Sequence, residues 1–174
     1  MCTSASEAQQ ERARDAKPPV QRPLFVFDKL VPELRRKSNI PPRPPAFLPG
    51  VTRKDPIYAI LESADNFGYE ILLAHDLSCQ GENGCLYGSV EAGVSPFNRD
   101  GRQGIPLELD RGIKAEFIET ICHAYCNESY IQWQEGRFYY SIGIKGEKQA
   151  FLTRAANSAI ATGLGEARPS KAPK

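Results

Sequence analysis

Apolar and polar side chains alternate along most of the chain between residues 57 and 144, and the alternation divides it into short arms. "IYAILES" and "YEILLAH" flank "ADNFG", whose Asp, Asn and Gly suit a turn, so residues 57–75 read as a β-hairpin. "CLYGSVEAG" supplies a third strand starting at Cys85. Residues 93–104, "GVSPFNRDGRQG", are polar and rich in Gly and Pro and read as a loop. "IPLEL" places Ile105, Leu107 and Leu109 on one face and Glu108 on the other. After the turn "DRG", "IKAEF" answers with Ile113, Ala115 and Phe117 against Lys114 and Glu116. The last hairpin is the clearest. "YIQWQ", "EGR" and "FYYSIGI" set Ile131 and Trp133 opposite Phe138, Tyr140, Ile142 and Ile144.

The period changes at both ends. After Gly146, Phe151, Leu152, Ala155, Ala156 and Ala159 recur at helical spacing, and Gly163 marks a stop. Near the start, Pro32 suits the first turn of a short helix carrying Leu30 and Leu34 on one face. "IPPRPPAFLPG" must then be extended, because proline fixes φ and restrains the residue before it. It reads as a stiff strap packing Ile40, Phe47 and Leu48 onto the domain, with an SH3-type ligand as the alternative. The expected organisation is a disordered tether over 1–23, a short helix and strap over 24–50, a folded domain over 51–163 and a disordered tail over 164–174. Six or seven strands joined by hairpins and packed on a C-terminal helix define an α+β fold. Lack of regular strand–helix alternation argues against a doubly wound nucleotide fold.

Composition adds bounds. With 174 residues the chain suits one domain, and 22 basic against 21 acidic side chains leave a net charge of +1. Such a balance creates no overall field for nucleic acid or an anionic membrane, so nucleic acid is not an expected partner. No run reaches the roughly 18 apolar residues of a spanning helix.

Five cysteines then change the picture, because four fall in two close pairs, Cys79/Cys85 and Cys122/Cys126. Zinc is one reading, with His123 and His75 as further ligands, but only the second pair has structural-zinc spacing. Thiol catalysis wants C-x-x-C at a helix start, which neither pair offers. Local disulfides are the favoured reading, and they imply an extracytoplasmic compartment. The fifth cysteine, Cys2, precedes a polar stretch resembling a lipoprotein tether. A lipid on Cys2 would be the only membrane attachment, with a leader already removed and Met1 added in its place.

Catalytic chemistry is not legible. No G-x-S-x-G surrounds a serine, "GIKGEK" lacks phosphate-loop spacing, and the pairs Asp110/Glu116 and Glu70/Asp76 read as solvated carboxylates. "FNRDGRQG" is a poor match to a calcium loop, and no cofactor is expected. Asn127-Glu128-Ser129 matches a glycosylation acceptor, relevant only in a eukaryotic secretory route. What remains is a surface: Tyr130 and Tyr139 on the outer face of the last hairpin, with Phe97 and Arg99 in the 93–104 loop.

"IQWQEGRFYYSIGIKGEKQAFLTRAANSAI" resembles the end of a domain of unknown function, the DUF4367 type, found in bacterial extracytoplasmic proteins. Trp133, Gly136, Tyr139 or Tyr140, Leu152, Ala155, Ala156 and Ser158 carry the likeness. The cysteine pairs depart from that pattern, and the resemblance implies no catalytic residues. The sequence therefore reads as an extracytoplasmic, secreted or lipid-anchored, non-catalytic domain whose partner is a protein or envelope component. The alternative is a small metal-binding protein or enzyme built on Cys79, Cys85, Cys122, Cys126 and His123.

Overall fold

A computed structural model describes residues 22, 24–97, 101–122 and 126–163. Seven strands form one sheet: β1 (Tyr58–Ala64), β2 (Gly68–Ala74), β3 (Leu86–Gly93), β4 (Ile105–Glu108), β5 (Lys114–Ile118), β6 (Glu128–Glu135) and β7 (Phe138–Lys145). Every pairing is antiparallel, in the order β1-β2-β3-β7-β6-β5-β4. Helix α1 (Leu30–Lys37) lies beside β1, and helix α2 (Gln149–Thr162) packs on β6 and β7. The fold is α+β, as the alternation and the C-terminal period lead one to expect. Neither helix is long and apolar enough to cross a membrane.

One face of the sheet is the core. Leu107, Ala115, Trp133, Tyr140, Ala92, Tyr69 and Ala64 form a single cross-strand row, and Ile105, Phe117, Ile131, Ile142, Val90, Ile71 and Leu61 form the next. A β-bulge between Leu61 and Ser63 lets Leu61 and Ala64 share that face. Leu152, Ala155, Ala156, Ala159 and Ile160 of α2 cover the rows, and the alanines let the helix approach closely. Two expected core residues fall outside it. Ile105 is in register with the apolar row but 48% exposed, because β4 is the sheet edge and α2 sits over β6 and β7. Phe151 is 44% exposed on the flank of α2, while Ser158 and Ile160 turn inward.

The turns are those that the local residues allow. β6 and β7 are joined by Gly136-Arg137, with Gly136 at φ 61°, a conformation that costs glycine little. Between β4 and β5 both Arg111 (φ 67°) and Gly112 (φ 73°) are left-handed, and Asp110 N–H donates to Asn157 Oδ1 at 2.9 Å, tying this edge hairpin to α2.

The proline strap is part of the core. Ile40, Pro44, Pro45 and Leu48 are buried, and the Ser158 hydroxyl accepts from the N–H groups of Ala46 (3.0 Å) and Phe47 (3.2 Å). Thr162 donates to the Pro44 carbonyl at 2.7 Å and Tyr87 to that of Pro49 at 2.6 Å. Arg43 ties the strap to the sheet by its side chain and its backbone. Its Nε and an Nη each sit 3.1 Å from a Glu135 oxygen, and its backbone N–H donates to the Tyr69 hydroxyl at 3.1 Å. Glu135 also accepts from the Trp133 indole at 3.0 Å. Burial works against the Arg43 charge, but the Glu135 carboxylate outweighs it and raises the guanidinium's pKa.

Candidate functional site

The connection from β3 to β4 builds the site. β3 and β4 run in the same direction at the centre and edge of the sheet, so the segment between them must return the length of the sheet and pass over three strands. Its described residues Pro96, Phe97, Arg102 and Gly104 lie on the face away from α2. Pro96 and Phe97 lie near Tyr139, the Arg102 guanidinium sits 5.7 Å above the Tyr130 ring and donates to the Glu119 carbonyl at 3.1 Å, and Gly104 abuts Glu116.

This second face is polar at its centre. Ser63, Glu70, Glu91, Ser141, Gln132, Glu116 and Pro106 form one row across all seven strands. Gln132 Nε2 donates to Glu116 Oε2 at 3.1 Å, and Ser89 to Glu91 at 3.2 Å. Ser141 and Ser89 are buried, so the row is enclosed at its middle and open toward β4.

At the open end lies a cleft of about 460 Å³. Pro96 and Phe97 line it together with Pro106, Tyr139, Gln132 and Gln134, and Lys114 and Glu116 put charge at its margin. Ala115 and Trp133 contribute the floor, with their buried side chains serving the core on the other side. Lys114 is engaged with Glu108, which holds that carboxyl below its ordinary range. Gln134 is fixed by donating Nε2–H to the Gly136 carbonyl at 2.8 Å. The Gln132 Oε1 atom is enclosed and has no hydrogen-bond partner among the described residues.

Of the surface residues singled out from sequence, Phe97 and Tyr139 line the cleft. Tyr130 shares the face but does not line it. Its ring lies over Gly143, where an added Cβ would come within 2.5 Å, and its hydroxyl donates to Glu128 at 2.5 Å. Arg99 falls outside the described residues, as do Cys2 and His123. The cleft residues Pro106, Gln132 and Gln134 carry no local signal, since they become neighbours of Phe97 only through the long return of the chain.

The cysteines pair locally. Cys79–Cys85 closes the β2–β3 loop with Cα atoms 5.7 Å apart, and Cys122–Cys126 closes the β5–β6 loop at 4.0 Å. Both loops lie at one end of the sheet, where Lys145 donates to the Asn83 carbonyl and Gly146 N–H to that of Asn127. Glu82 lies close to Cys79 and Cys85, but those sulfurs are spent on each other, which removes the thiolates that a zinc site there requires. In the Asn127-Glu128-Ser129 acceptor pattern Asn127 is exposed and Ser129 is fully buried. The two disulfides are compatible with an oxidising, extracytoplasmic setting.

Compared with known proteins, the chain matches no family model, no curated protein and no solved structure.

Proposed function

We propose that this is an extracytoplasmic binding domain, secreted or lipid-anchored through Cys2, whose ligand site is the cleft beneath Phe97. The observation that carries the reading is the cleft itself. It is concave, falls in the size range of small-ligand sites, and sets ring walls beside a few fixed polar groups. The disulfides and the likeness of residues 131–160 to an extracytoplasmic domain type support the location. An envelope partner, whether protein or polymer, would present its ligand group to the cleft and leave the α2 face untouched.

The test is a ¹H–¹⁵N spectrum of the full chain titrated with a library of small ring-bearing fragments. Hits should perturb Phe97, Gln132, Gln134 and Tyr139 together, and Phe97→Ala should abolish them. Perturbations scattered over α1 and α2, or none at all, would remove the cleft as the site. Lipidation is tested separately: radiolabelled palmitate should enter the wild-type chain, expressed behind a lipoprotein leader, and not its Cys2→Ser variant.

A further inference from the structure

The even charge of the whole chain conceals a split along it. Residues 22–54 carry eight basic side chains against two acidic ones, Asp28 and Glu33, whereas residues 55–163 carry eight against fifteen. Residues 1–21 hold three of each sign and leave that split unchanged. The fold brings much of the basic segment to one edge of the sheet, because α1 and the turn before it, Phe25–Phe27, both contact the edge strand β1. We propose that this edge is a docking surface for an anionic lipid bilayer, made by Arg22, Lys29, Arg36, Arg53 and Lys54. Neither the cleft nor a lipid at Cys2 is needed for it.

Local structure sets the surface. Leu34 is buried and Leu30 and Val31 are half-buried, so α1 turns that stripe to the core. Lys29 and Arg36, seven positions apart, share the opposite stripe and are exposed. Arg53 lies 5.1 Å above the Phe25 ring, which brings it and Lys54 against the turn that leads into Lys29. Arg22 is exposed where the chain enters that turn. Two other cations of the segment are spent inside the protein, Arg43 on Glu135 and Lys37 on Glu33 at 2.8 Å. Asp28 and Asp55 are the exposed carboxylates next to the five cations in the chain, so the surface stays positive.

The spread of the charge selects the partner. Five cations on the outer side of a helix and a neighbouring loop suit a broad anionic plane, whose headgroups adapt to any spacing. Single-stranded nucleic acid would need ring faces for its bases, and that of Phe25 is taken by Arg53. The acidic remainder of the domain is repelled by the same plane, which orients the molecule with the β1 edge down and the β4 edge, with its cleft, outward.

The test is sedimentation of the full chain, carrying Cys2→Ser, with vesicles of phosphatidylglycerol and phosphatidylcholine and with vesicles of phosphatidylcholine alone. The expected result is binding to the anionic vesicles at about 0.05 M salt that is lost at about 0.5 M, and none to the neutral ones. Lys29→Gln combined with Arg36→Gln should weaken it roughly twentyfold. Arg111→Gln combined with Arg137→Gln removes the same charge from exposed turns elsewhere and should change it by less than about threefold. No binding to the anionic vesicles, or equal losses from the two double variants, would overturn the surface. Tighter binding to duplex DNA or to polyglutamate than to the anionic vesicles, at the same salt, would overturn its assignment to lipid. Fragment perturbations at the cleft and palmitate labelling at Cys2 are independent of each of these results.

Discussion

Arg43 sits in a run of prolines that would otherwise read as a detachable ligand motif, yet its guanidinium is fastened to Glu135 by two hydrogen bonds. Both side chains are largely buried, at 15% and 18% exposure. Removing one partner of such a pair leaves a buried charge uncompensated, so Glu135→Ala should cost about 3 kcal/mol in urea unfolding. Glu108→Ala, which breaks the exposed pair with Lys114, should leave the midpoint unchanged. The tyrosines around Arg43 give a pH signature. Burial pushes the Tyr69 hydroxyl up to about 12, and burial raises Tyr140 as well. Unfolded tyrosines ionise near 10, so above that pH the unfolded chain sheds protons that the folded chain keeps. Stability should therefore be level from neutral pH to about 9 and then fall, by about 1.4 kcal/mol per pH unit for each such tyrosine. Tyr69→Phe should flatten part of that slope.

At the scale of elements, the hairpins were legible because side-chain period and turn residues are local properties. Trp133 faces Tyr140 and Ile131 faces Ile142, as the alternation of the last hairpin requires. The pairing of β3 with β7 was not legible, since nothing in "CLYGSVEAG" specifies a partner some fifty residues away. Half of the cleft was hidden for the same reason. Period fixes which face a residue shares but not whether another element covers it, which is why Ile105 shares the apolar register and remains exposed. The strap shows the opposite case, an irregular segment whose backbone groups are satisfied by a helix. Ser158 accepts from both Ala46 and Phe47, so Ser158→Ala strands two amides and should cost about 1–3 kcal/mol, measured against Ser158→Thr as a control that keeps the hydroxyl.

The whole molecule is a sheet with two different faces, one sealed by α2 and the strap, the other crossed by the β3–β4 connection. Its disulfides lie at one end and close loops of sequence separation 6 and 4. Loops that small restrict the unfolded chain by at most about 2 kcal/mol each. Their role is to fix two bends, and the core should remain folded when they are reduced. The compartment, and the exclusion of a zinc site, both depend on those four sulfurs being bonded in the cell. The most direct measurement is alkylation of thiols in intact cells making the natural protein, followed by non-reducing peptide mass mapping. The account predicts unmodified, linked peptides joining Cys79 to Cys85 and Cys122 to Cys126. Alkylated thiols at all four positions would contradict it.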